Sequence, residues 1–69
     1  MEDTAVVGCV GEVRVRIRGD AGPGEVAVQV RGMTEMLIAY ADVAIDRGAK
    51  VLVVTSRGNR AVDVVPWSE

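Results

Sequence analysis

Three arginines at alternate positions, Arg14, Arg16 and Arg18, are the most concentrated like-charge feature of this chain. In an extended strand they would share one face. Such a face could contact phosphates, lipid headgroups or an acidic protein. The simpler reading is the solvated face of a strand, where charge between valines suppresses edge-to-edge pairing. The run GDAGPG, residues 19–24, superficially resembles a phosphate-cradling loop. It lacks the GK[ST] ending and the helix that such loops open, so it is read as a turn.

Acid–base and metal chemistry find little support. There is no histidine, so the usual general base and the commonest metal ligand are both missing. The hydroxyls Thr4, Thr34, Thr55, Ser56 and Ser68 have no base close in sequence, and the carboxylates are scattered. The lone Cys9 cannot close an internal disulfide, and its neighbours offer nothing to lower a thiol pKa. It is expected to be a small buried apolar residue. No catalytic, metal or cofactor residue is assigned.

The elements that position the arginines come from strict alternation. In Glu12–Arg18, Val13, Val15 and Ile17 fall on one face; in Glu25–Arg31, Val26, Val28 and Val30 do. A turn over Gly19–Gly24 makes these two runs a hairpin. Closing it there pairs Arg18 with Glu25, Arg16 with Ala27, Arg14 with Gln29 and Glu12 with Arg31. Opposite charges then meet at both ends, and Arg14 and Arg16, facing Gln29 and Ala27, are left as the candidate basic surface.

Further along, Gly8 and Gly11 suggest a bulge or bend. Met36–Asp42 reads as a third strand, with a helix over 34–45 capped by Thr34 as the competing reading. A second turn at Asp46–Ala49 precedes a fourth strand, Lys50–Ser56. A loop at Arg57–Asn59 leads to a fifth strand, Arg60–Val65, and Pro66 ends the ladder. Val51–Val54 is apolar throughout, so a barrel alone sets its register or its second face is covered. Leu52 and Val54 are therefore candidate contact residues, and homo-oligomerisation is one way to use them.

At 69 residues the chain makes one small domain, expected over its whole length behind a disordered tail at residues 1–5. Fifteen valines against one Tyr and one Trp favour strands, so the fold class is all-β, and five strands closed into a small barrel are the economical way for so short a chain to make a core. A net charge of −2 argues against nucleic-acid binding driven by bulk charge. No apolar run is long enough to span a membrane, and Glu2 and Asp3 sit where a secretory leader would carry basic residues. With the unpaired cysteine, these features lead to an expected cytoplasmic location.

The segments Gly8–Val13, Val28–Gly32, Ala39–Ala41, Ile45–Val54 and Val62–Pro66 together resemble the soluble C-terminal domain of the NfeD family. That resemblance implies an OB-fold barrel, no catalytic residues, and partnership with a membrane scaffold of the flotillin or stomatin type. It also implies recruitment to the membrane through that partner. The family usually carries membrane helices ahead of this domain, and some members a serine protease; neither is present in this chain. A lipoyl or biotinyl carrier would display its lysine at a hairpin tip, whereas Lys50, the only lysine, begins a strand. Composition and motifs by themselves name no activity. The expected function is a noncatalytic interaction barrel using Arg14, Arg16, Gln29, Leu52 and Val54, with nucleic-acid binding through the basic face as the alternative.

Overall fold

The structure, a computed structural model, describes residues 4–68. Its strands are β1 (Val10–Val15), β2 (Ile17–Arg18), β3 (Gly24–Val30), β4 (Met33–Tyr40), β5 (Ala44–Ile45), β6 (Lys50–Gly58) and β7 (Ala61–Pro66). Five of them close a barrel in the order β1-β3-β4-β7-β6, and β2 with β5 forms a separate two-stranded sheet. All barrel pairings are antiparallel except β4 with β7. This is the strand order of an OB barrel, the fold that the family resemblance implies. Closure leaves few unpaired edges and lets a short chain enclose a core.

That core is made of small branched side chains. Eight of the twelve buried apolar residues among those described are valines, and none is aromatic, which suits a narrow barrel interior. Residues 1–3 of the expected tail lie outside the described residues. Thr4–Val6 forms a 3-10 turn, and Val6, only 2% exposed, packs into the core. Cys9 is half-buried against the same core, its Sγ 3.5 Å from the Ala5 carbonyl oxygen.

The first hairpin departs from the expected register. Glu12 opposes Ala27 rather than Arg31, and Val13 opposes Val26. A bulge at Arg14 then sets Val15 against Glu25, so Val15 turns outward and is 51% exposed instead of sharing the buried face of Val13 and Ile17. Arg18 does not meet Glu25 at all, because after a break at Arg16 the chain leaves the barrel and pairs Arg18 with Ala44 and Ile17 with Ile45. Gly24 makes this departure possible. A Cβ there would overlap the carbonyl oxygens of Val15 and Arg16, so only glycine lets β3 begin so close to the exit of β1.

The remaining elements follow the sequence more closely. The segment that could have capped a helix at Thr34 is strand, β4, reached from β3 through a two-residue turn in which Arg31 and Gly32 have φ of 54° and 81°. Positive φ at both central residues matches the twist of the flanking strands. The last hairpin does the same with Asn59 and Arg60, a shorter turn than the expected Arg57–Asn59 loop because β6 runs on to Gly58. In β6, Val51 and Val53 point inward, while Leu52 is half-buried on the outside and Val54 is exposed.

Candidate interaction surfaces

The arginine run is divided among three settings. Arg14, on the β1 bulge, has its Nε 3.8 Å from Glu12 Oε1. Arg16, at the break after β1, donates from Nε to Asp46 Oδ1 at 3.0 Å. The turn at Asp46–Ala49 brings that carboxylate alongside, since Val13 N–H donates to the Ala49 carbonyl and Gly48 N–H to that of Val13. Arg18 belongs to the other sheet. The hairpin therefore offers two individually paired arginines on separate backbone segments, not a continuous basic stripe. Gln29 donates to Thr34 Oγ1 at 3.2 Å and lines a shallow recess with Arg14, Glu12 and Lys50, where both signs of charge meet.

Leu52 lies on another surface. Register places it between Val10 of β1 and Val65 of β7, all three on the outside of the barrel, with Val10 38% and Val65 41% exposed. Val54 follows at the point where β6 shifts register against β7, from Val53 opposite Val64 to Thr55 opposite Asp63. The result is an apolar stripe across three strands. This answers why the fourth predicted strand lacks alternation: both of its faces touch apolar neighbours.

Sequence reasoning missed a third feature. Arg57 lies over the Tyr40 ring at 3.9 Å from the centroid and grips Asp63, with Nη2 to Oδ1 at 2.7 Å and Nε to Oδ1 and Oδ2 at 3.0 and 3.1 Å. The Asp63 hydrogen bond, partly opposed by desolvation, raises the Arg57 pKa above its ordinary value. Arg57 falls in the expected Arg57–Asn59 loop and Asp63 in the expected fifth strand, two segments with no local sign of a shared site. The parallel pairing of Tyr40 with Asp63 is what assembles them, and nothing local signals a parallel pair.

Beside this trio runs an open groove of about 560 Å³, lined among others by Asp20, Tyr40, Asp42, Val43 and Val54. Among the described residues there is no buried polar or charged residue, and no cluster of three or more Cys, Asp and Glu able to hold a metal ion. The same residues include no helix long and apolar enough to cross a membrane. What the surface offers chemically is contact: apolar strand faces edged by charge.

No curated protein sequence matches the chain. Solved structures resemble it, among them two domains of named proteins. The soluble domain of the NfeD protein YuaF from Bacillus subtilis superposes with a TM-score of 0.76 at 31% identity, covering 90% of this chain and 74% of that one. The C-terminal domain of stomatin operon partner protein 1510-C from Pyrococcus horikoshii gives 0.68 at 26% identity, covering 93% and 91%. The family model of the NfeD C-terminal domain matches residues 10–65. A match that opens with the first residue of β1 and stops one residue short of the end of β7 spans the whole barrel, so this chain belongs to the family of NfeD C-terminal domains.

Proposed function

We propose that this domain is a noncatalytic interaction barrel that docks on a membrane-associated scaffold of the flotillin or stomatin type. The observation that carries the reading is the outer apolar stripe of Val10, Leu52 and Val65, continued by Val54. Apolar side chains on a small closed barrel gain from being covered, at roughly 25 cal/mol per Å² removed from water. A relative named as a stomatin operon partner protein supports the choice of scaffold. Through such a partner the domain would be held at the membrane without a span of its own. Arg14 and Gln29, set in a recess of mixed charge, serve as the polar rim of the contact, where charge tunes encounter more than affinity.

Calorimetric titration of the purified domain with the soluble part of a stomatin- or flotillin-type protein from the same genome tests this. Saturable binding that Leu52→Asp weakens at least about tenfold, with Arg14→Glu/Arg16→Glu changing it far less, is the expected outcome. Equal binding by the Leu52→Asp variant would remove the stripe from the interface. Sedimentation at high concentration separates this from use of the same stripe by a second copy, which would appear as a dimer abolished by Leu52→Asp.

A further inference from the structure

The groove beside Val54 joins exposed apolar surface to negative charge that forms no ion pair among the described residues. Its acids come from two loops. Asp20 sits in the 3-10 turn Gly19–Ala21, and Asp42 in the loop between β4 and β5. The β2–β5 pairing, Arg18 with Ala44, carries the turn to that loop. Gly19, at φ +64°, then lets them touch: a Cβ on it would lie 3.1 Å from the Val43 carbonyl carbon and the Ala44 nitrogen, and 3.5 Å from the Asp42 carbonyl oxygen. Neither Asp20 nor Asp42 has an ion-pair partner among the described residues. The third acid in the groove, Asp63, is taken up by Arg57, so the one cation among the lining residues is already neutralised. Between these groups lie Val43, Val54 and Val65, 51%, 42% and 41% exposed.

We infer that this groove receives a short segment of a partner protein in which arginine or lysine flanks apolar residues. The apolar residues cover the three valines, and the cations offset the two carboxylates. Burying apolar surface supplies the non-directional part of the affinity, and the unpaired acids select the sign of the ligand. A phosphate backbone or an anionic bilayer would meet the same two carboxylates as repulsion. The inference rests on the interaction reading for the class of ligand, a polypeptide, and the groove shares Val54 and Val65 with the outer stripe, whereas Val10 and Leu52 do not line it.

A blocked peptide of sequence Arg-Leu-Val-Leu-Arg, followed through the amide NMR spectrum of the domain, is the probe, with Glu-Leu-Val-Leu-Glu as its charge-reversed control. Shifts should gather at Asp20, Asp42, Val43, Val54 and Val65 and be absent with the control. The double variant Asp20→Asn/Asp42→Asn, which keeps side-chain shape, should weaken binding about five- to tenfold at low salt and little at high salt. Val43→Ser should weaken it with the charges intact. Shifts at the Arg14–Lys50 recess, or undiminished binding by the double Asn variant, would overturn the proposal. So would concentration-dependent self-association that the double Asn variant abolishes, since the occupant would then be a second copy. If the groove fails while calorimetry still shows Leu52-dependent scaffold binding, this inference falls alone. If scaffold binding fails while the peptide behaves as described, the interaction reading falls and the groove stands.

Discussion

The arginine run of β1 and the acidic groove are both charged residues set among valines, yet they end in opposite states. The arginines are neighbours in sequence, but the bulge at Arg14 and the break at Arg16 separate them, and Arg14 and Arg16 each acquire an acid, Glu12 at 3.8 Å and Asp46 at 3.0 Å. Asp20 and Asp42 are far apart in sequence and are drawn together by a loop contact in which neither forms an ion pair among the described residues. A charge pattern visible in a linear sequence is therefore no guide to where unsatisfied charge remains. What decides is which backbone segments the fold brings alongside.

Backbone contacts create this contrast, and substituting them should give the largest effects. Gly24→Ala places a Cβ against two carbonyl oxygens of the β1 exit, and the backbone there cannot yield as a side chain would. A loss of about 3 kcal/mol or more is expected in urea unfolding. If stability were unchanged, the departure of β1 from the barrel would not depend on this contact.

Gly19→Ala should cost less, about 1–2 kcal/mol, because alanine tolerates a positive φ at moderate cost and the neighbouring atoms lie at 3.1 Å. It should also spread Asp20 from Asp42 and weaken the Arg-Leu-Val-Leu-Arg peptide more than it weakens any contact through Leu52. Peptide affinity equal to that of the native chain would show that the loop contact does not assemble the groove.

The smallest effect belongs to the arginines themselves. The Arg16 and Asp46 side chains are 57% and 84% exposed, and the Arg14 and Glu12 side chains 56% and 43%. Such exposed pairs contribute roughly 0–1 kcal/mol each. Arg14→Glu/Arg16→Glu should therefore lower the melting temperature by a few degrees at most at low salt, and the difference should shrink at about 0.5 M salt as screening sets in. A large loss that persists in salt would mean the arginine stems contribute packing rather than charge.

Much of the barrel was legible in advance, for reasons tied to particular residues. The alternation of Val26 with Val28 puts them on one face, and the structure buries both. Pro66, expected to end the ladder, is the last residue of β7. The expected register of the first hairpin is off by four residues up to Val13, before the bulge at Arg14 shifts the pairing by one, and the cause of the even offset is general. A one-residue slip exchanges the two faces of a strand, but an even slip leaves every valine facing as before. Alternation thus excluded half the registers and could not rank the rest. Opposite-charge pairs at Arg18–Glu25 and Glu12–Arg31 appeared to break the tie, but their small energy is outweighed by the packing at Gly24 and by the second sheet that takes Arg18.

The sequence by itself determined the class of fold, the shared faces of Val13 with Ile17 and of Val26 with Val28, and the motif segments that carry the family resemblance. These depend on side-chain period and local turn chemistry, which are properties of neighbouring residues. Tertiary structure alone decided that Val15 faces out, that Leu52 lies between Val10 and Val65, and that Asp20 meets the loop of Asp42 beside Val54. Each of those depends on a contact between segments distant in the chain, at a bulge, a parallel pair or a glycine with no room for a Cβ. No local pattern encodes such a contact, because the free energy that selects it comes from burying the barrel as a whole.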